Sequence, residues 1–494
     1  MKHYFIILIF ALFATASCSD FLDVQPKKDS NASQAIATAK DAQVSINGIM
    51  NTMSSSSYYG RNFTMYGDIK GGDLTIYSSG RGLDALYSFN QSAQTNSYGS
   101  FWSIGFNCLM QINNLIENVD RLKALGETGF DYYKGEALTL RALVNFDLVR
   151  LYGLPYNYDK DSYGIPDVTS TLDASAQLTR ATVKENYTRI INDLTDGADL
   201  MSSDKAQHNG YIGYYGNLAL QARVKLYMGD YDGALAAAES VIASKKFILY
   251  EPENWAASWS KQYGSESIFE IGIDETTDLK TSSLGFYLMR YHQLQSAQGW
   301  FLASNYFLNR LGQDPDDVRW GVMDNDEYWL DSDSTVIHKG ACYKYMGGLG
   351  MAGDGKSTAT AVNVKVIRFS EMYLIAAEAE LHCTNPDRGL AAQYLNNIRR
   401  RAPGLPAATA ETVSDDMILD ERSKEFFGEG QRFFDMIRMN KSIEYNDDML
   451  NVPVSGRTKI IDRTFGKIVL PIPQEEINAN PAIAGQQNDA YKGI

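Results

Sequence analysis

The chain has 494 residues and a formal net charge of −15, from 60 Asp and Glu against 45 Lys and Arg. A surface this acidic works against nucleic acid and anionic lipid as partners, since both repel it. Four cysteines stand far apart with no C-x-x-C pair, which gives neither a disulfide framework nor a zinc site; no metal and no cofactor is expected. The unusual component is aromatic, with 31 Tyr, 21 Phe and 6 Trp, enough for amphipathic stacking surfaces as well as a core.

At the start of the chain, Lys2 supplies positive charge, Phe5 to Phe13 form a short apolar run, and Ala14, Thr15, Ala16 and Ser17 precede Cys18. That order of charge, apolar segment and small residues is a secretory signal peptide. The run is shorter than the about 20 residues needed to span a bilayer. A cysteine directly behind the small residues is the acceptor that lipoprotein processing requires, so residues 1–17 are expected to be removed and Cys18 lipidated. No second long apolar segment follows, and the remainder is expected to be soluble. Cys108, Cys342 and Cys383 are expected to be small buried apolar residues.

Three segments further along resemble one another. In residues 136–153, Ala137, Leu140, Val144, Leu148 and Leu151 recur at helical spacing. In residues 216–244, Ala219, Ala222 and Leu226 lead to Gly229-Asp230-Tyr231, and then to Ala234, Ala237, Ala238 and Val241. Residues 371–402 follow the same plan around Asn385-Pro386. Ala-rich helices joined by a short turn are a degraded tetratricopeptide pattern, in which each pair must stack on a neighbour to bury its apolar face. Residues 418–440 give a fourth helical segment. Between these blocks, residues 51–105, 153–180, 250–360 and 441–494 lack helical period and are rich in Gly, Ser, Asn, Asp and aromatics. Long aromatic-bearing irregular segments on a helical scaffold are where function is expected.

These strings, in this order, resemble the SusD/RagB family of nutrient-binding lipoproteins over essentially the whole chain. CSDFLDVQP at 18–26 is similar to the family's lipidated start, and FWSIGFNCLMQINNLIENVD with EALTLRALVNFDLVRLYGLP to its first helices. IRFSEMYLIAAEAE and LNNIRRRA resemble its third helix pair, ERSKEFFGEGQRFFDMIR its charged helix, and LPIPQEEINANP at 470–481 its closing segment. The resemblance implies an all-α fold of about four tetratricopeptide-like helix pairs with a loop-rich elaborated half. It implies one domain over 18–494, with an N-terminal part 18–300 and a C-terminal part 301–494. It also implies a surface lipoprotein of the outer membrane, tethered through its lipid anchor. Such a protein captures oligosaccharide for a SusC-like TonB-dependent transporter and is not an enzyme. Some members bind peptides or other nutrients, which is the alternative; a helical glycosidase is the more remote one.

In the family the ligand loops fall in two regions, here residues 68–89 and 284–301. Sugar rings need flat apolar faces, and their hydroxyls need directed polar groups. The first region offers Asp73, Tyr77 and Arg81; the second offers Tyr287, Arg290, Tyr291 and Trp300, with Trp300 expected to be exposed and Trp102 expected in the core.

Other patterns carry less. GMAGDGKS at 350–357 matches the phosphate-loop spelling, but β-branched residues follow where that loop needs a helix. Glu421, Arg422, Glu425, Glu429, Arg432, Asp435 and Arg438 sit three and four apart, so an ion-pair network along one helix is expected in place of acid–base chemistry. The acids at 314–317 and 324–333 lack the glycine of a calcium loop and are expected to be turns. Sixty carboxylates always offer some pair at hydrolytic spacing, so spacing says nothing of glycoside cleavage.

Overall fold

Helix α1 (Ala39–Met53) begins at a capping box in which the Thr38 hydroxyl accepts from the Asp41 N–H and the Asp41 carboxylate accepts from the Thr38 N–H. It buries Ala42, Ile46, Ile49, Met50 and Met53, one helical face. Its place in the chain is given by a computed structural model, which describes residues 36–76, 80, 83–95, 100–205, 210–276, 278–290, 299–326, 338–346, 360–449 and 452–493. The leader, Cys18 and the GMAGDGKS string lie outside the described residues.

The scaffold continues through α2 (Asn62–Ile69), α3 (Phe101–Ala124), α4 (Asp131–Tyr152), α5 (Val183–Leu200), α6 (Tyr214–Met228), α7 (Tyr231–Ala243), α8 (Phe369–His382), α9 (Arg388–Arg399), α10 (Asp415–Phe426) and α11 (Arg432–Arg438). Packing follows chain order: α1 on α3, α3 on α4, α4 on α5, and so on to α8 on α9. This is the stacking expected of helix pairs, and the Ala-rich segments supply its contacts: Ala219, Ala222, Ala234, Ala238, Ala376 and Ala377 are fully buried. The α6–α7 turn is made by Gly229, which is left-handed at φ 75°, and by Asp230, whose carboxylate accepts from the Gly233 N–H. Asp387 caps α9 in the same way through the Leu390 N–H. Trp102 is core at 5% exposure; its ring meets the Tyr152 ring edge-on at 4.9 Å. Cys108 and Cys342 are buried and Cys383 is half-buried, all three as free thiols.

The long segment between α7 and α8 is held by two-stranded antiparallel sheets that join distant parts of the chain. Strand β1 (Leu74–Ile76) pairs with β3 (Phe301–Ala303), β2 (Ser267–Ile271) with β6 (Val364–Arg368), and β4 (Met323–Asp324) with β5 (Ala341–Cys342). A last pair joins β7 (Ile443–Glu444) to β8 (Ile460–Ile461).

Residues 418–440 do not form the single helix expected from their spacing. The helix breaks between α10 and α11, where Gly428 and Gly430 take φ of +80° and +79°, a conformation that glycine adopts without steric cost. Gly430 also packs against Gly67 of α2 so closely that a Cβ on Gly67 would lie 1.9 Å from the Gly430 carbonyl oxygen.

The ion pairs expected in this segment exist, but they run mostly to other elements. Glu425 accepts from Arg368 at 2.7 Å and from Arg401, with Arg319 at 3.8 Å. Glu421 accepts from Arg319 at 2.6 Å, and Glu429 from Arg368 and Lys344, each at 2.7 Å. Glu266, just before β2, bridges back to Arg368 at 3.2 Å and to Arg401. Across the break, Asp435 accepts from Arg422 at 2.7 Å and from Arg438 at 2.9 Å. All of these residues are buried except Glu429, which is half-buried as a whole with a buried side chain. Burial opposes ionisation of Glu425, Glu421 and Asp435, but the facing cations outweigh it and hold Glu425 well below, and Glu421 and Asp435 below, the usual range.

Removing Glu425 leaves three guanidinium groups without their shared partner. Glu425→Gln is therefore expected to destabilise the fold by about 3–5 kcal/mol at neutral pH. Carboxyls with lowered folded pKa contribute stability that is present above the unfolded value near 4.5 and is lost as pH falls through the folded one. The gap between wild type and variant in denaturant melts should thus narrow as pH drops below about 4.5; a constant gap would contradict the ionised network. Glu136 of α4 behaves oppositely: burial pushes its pKa up to about 7, against the opposing pull of Lys205, and its Oε2 has no hydrogen-bond partner. Its contribution is intact below pH 4.5 and is lost as pH rises through about 7. Glu136→Gln is expected to melt higher than wild type above pH 7 and to match it near pH 4.5; melting curves at the two pH values decide.

Candidate functional site

The two irregular regions expected to share a ligand are brought together by the β1–β3 pairing, in the register Leu74 to Ala303, Thr75 to Leu302 and Ile76 to Phe301. The strands are three residues long and buried throughout. Their pairing is fixed at one end by the Ser304 N–H, which donates to the Asp73 carbonyl at 2.8 Å, and beside it by the Ala303 N–H, which donates to Gly340. At the other end the chain runs from Ile76 toward Tyr77 and from Trp300 into Phe301. Tyr77, Arg81 and Tyr291 lie outside the described residues.

The described remainder forms an aromatic cluster capped by an arginine. Trp300 is half-buried, with its ring edge-to-face against Phe286 at 5.0 Å and Tyr287 at 4.8 Å, the arrangement the ring quadrupoles favour. Tyr287 is 5% exposed. Its ring stacks toward Phe301 at 6.4 Å on one side, while the Arg61 guanidinium lies 4.5 Å from its centroid. Arg61 also donates to the Tyr287 hydroxyl at 3.1 Å and to the Asn62 side chain at 2.7 Å. Arg290 is half-buried, and its carbonyl accepts from the Tyr343 hydroxyl.

Three expectations change here. Asp73 was expected to face ligand, but it is 3% exposed and holds the strand to the charged helices. It accepts from Ser423 at 2.6 Å and from Arg310 at 3.0 Å, with Arg432 at 3.3 Å. Burial opposes its ionisation, yet Arg432 and Arg310 prevail and keep its pKa below the usual value. A carboxylate buried among Ser423 and two guanidinium groups is shut off from a ligand and serves the fold. Tyr287 supports the site from beneath and presents no open stacking face, since its ring is already covered. Trp300 is less open than expected, because Phe286 and Tyr287 take up part of its surface.

Sequence reading passed over Arg61, which stands alone in a Ser- and Tyr-rich stretch with no motif around it. The acids at 314–317 are turn formers: Asp317 grips Arg319 with both oxygens, at 2.8 and 2.6 Å, and Asp314 accepts from the Gly404 N–H at 2.8 Å. Asp331 and Asp333 lie outside the described residues. Two concavities elsewhere suit a sugar poorly. One, between α4 and α11 around Tyr156, Tyr227 and Phe434, has a volume of about 30 Å³, room for a water or two. Another of about 480 Å³ is lined by Asp161, Asp167, Lys184, Glu185 and Arg189 and offers no aromatic face.

Comparison with known proteins agrees with this architecture. A family model described as "SusD family" matches residues 321–491, and one described as "Starch-binding associating with outer membrane" matches residues 20–218. A solved SusD superfamily protein from Bacteroides thetaiotaomicron is 31% identical with a TM-score of 0.82, covering 92% of this chain and 100% of that one. The SusD-like protein P38 of Formosa agariphila is 23% identical over 99% of this chain and 98% of its own length. The starch-binding protein SusD of Bacteroides thetaiotaomicron is 30% identical over 28% of this chain and 24% of its own. With helix pairs, charged helices and full-length likeness in agreement, the chain belongs to the SusD/RagB family.

Proposed function

We propose that the protein captures oligosaccharides at the cell surface and passes them to a SusC-like TonB-dependent transporter of the outer membrane, without turning them over. The observation that carries this reading is the aromatic cluster next to the β1–β3 pairing, where the half-buried indole of Trp300 and the guanidinium of Arg61 both lie against the Tyr287 ring, at 4.8 and 4.5 Å between centres. An indole flanked by directed donors is the chemistry that a pyranose needs. The family models support it, one by its description as starch-binding and associated with the outer membrane. No helix among the described residues is long and apolar enough to cross a membrane; the attachment we propose is the lipid on Cys18, behind the leader-like start of the sequence. Binding at about 10⁻⁶ to 10⁻³ M, roughly −8 to −4 kcal/mol, suits hand-off to a transporter, and the tether raises the local concentration.

Electrophoresis through glycan-containing gels is expected to retard the protein on at least one polysaccharide without new reducing ends. Release of product would replace the capture reading with hydrolysis, and calorimetric binding of peptide digests alone would replace the glycan. Trp300→Ala should raise the glycan Kd about tenfold or more. It should cost less stability than the about 3–5 kcal/mol of a fully buried Trp; unchanged affinity would move the site elsewhere. Cys18→Ser is expected to yield protein that fractionates away from membranes and lacks a diacylglyceryl mass, and a membrane-bound variant would contradict the anchor.

A further inference from the structure

Arg61 differs from the other arginines of the interior. Arg141, Arg223, Arg319, Arg368 and Arg438 each meet a buried carboxylate. Arg180, which has no carboxylate, spends its guanidinium on the carbonyls of Gly164, Tyr152, Tyr163 and Gln486. Arg61 has only neutral partners, Asn62 and Tyr287. Among the described residues no carboxylate lies within ion-pair reach, and its Nη2 makes no hydrogen bond yet is not sealed from solvent. A half-buried guanidinium held in place by an aromatic ring, with one edge free, is a pre-set receptor for a carboxylate or sulfate.

The sequence around it points the same way. In a chain with 60 acids, none falls between Asp41 and Asp68, between Asp84 and Glu117, or between Asp278 and Asp314. The fold brings these three stretches together. Gln111 donates to Thr52 at 3.0 Å, Phe101 packs on Phe63 and Tyr66, and Tyr287 lies under Arg61. Leu279 lies against Gly60, so that a Cβ there would meet it at 2.5 Å, with exposed Lys280 next in the chain. Two acids do border these stretches: Asp147 accepts from the Tyr58 and Tyr59 hydroxyls at 2.6 and 2.7 Å and is paired with Arg150 at 2.6 Å, and Asp278 accepts from the Thr360 hydroxyl at 2.8 Å. Charges beyond about 8–10 Å are largely screened at physiological ionic strength, so acids farther off weigh little on the Arg61 edge. Asp73 at its edge is offset by Arg310 and Arg432.

We infer that the captured glycan is anionic, carrying uronate or sulfate groups, and that Arg61 receives the acid group while Trp300 takes a neighbouring ring. This rests on the glycan-capture reading and narrows its substrate class. The test is calorimetry of the purified protein with oligogalacturonates, carrageenan oligosaccharides and malto-oligosaccharides, which separates uronate from sulfate and both from neutral sugar. A charged probe is expected to bind more tightly than the neutral one and to weaken between about 50 and 500 mM salt. Arg61→Gln should raise its Kd about ten- to a hundredfold with the thermal midpoint little changed, and Arg61→Lys should recover part of the loss. Binding of the neutral probe alone, or charged binding indifferent to Arg61→Gln, overturns the inference and leaves glycan capture standing. Binding of no glycan of either kind overturns both.

Discussion

Glu425 and the cations around it are the constraint on which the rest of the molecule depends. Arg368 ends β6, Arg401 follows α9, Arg319 sits in the turn before β4, and Lys344 follows β5; all point at the acids of α10 and the turn behind it. Ions this deeply buried pay a large desolvation cost, and the cost is met only when every partner is present. The network therefore selects one arrangement of segments that are far apart in sequence. The Trp255 and Trp259 rings close it from the side, with Lys344 at 4.4 Å and Arg368 at 5.2 Å from the Trp259 ring and Arg401 at 5.4 Å from that of Trp255. Water kept out by those rings strengthens each ion pair inside.

The same helices position the wall proposed to meet ligand. Gly67 lies on Gly430, and the Gly430 N–H donates to Asp68 at 2.9 Å. One turn later Asp73 is pinned to Ser423, Arg310 and Arg432. Strand β1 thus leaves the charged helices with its direction set and meets β3 in a register that three residues could not specify by themselves. Asp73 bears on the proposed site through this anchorage: buried at 3% exposure, it holds the strand that leads into the candidate region.

The stacked helices illustrate the opposite case, in which local sequence suffices. Alanines at helical spacing, Asp at the N-caps of α7 and α9, and Gly229 beyond the end of α6 are short-range signals, and the structure follows each. The charged segment at 418–440 was readable as an ion-pair network, but its partners were assigned to one helix, because spacing of three and four shows only intrahelical neighbours. The two glycines with positive φ, and the four distant cations Arg319, Lys344, Arg368 and Arg401, turned it outward. Trp102 and Trp300 were told apart correctly in order of burial. The degree differed for Trp300, since Phe286 and Tyr287 lie against it in a way no flanking residue announces.

By itself the sequence determined the helical scaffold, its pairing in chain order, the family, and the two regions expected to meet ligand, because periodicity, caps and family strings are written in neighbouring residues. Only the tertiary structure decided which charges are spent and which are free. Asp73 and Arg61 look alike as lone charges in irregular segments, yet one is neutralised by Arg310 and Arg432 and the other meets only Tyr287 and Asn62. A charge is neutralised by whatever lies within a few ångströms, and here that comes from hundreds of residues away.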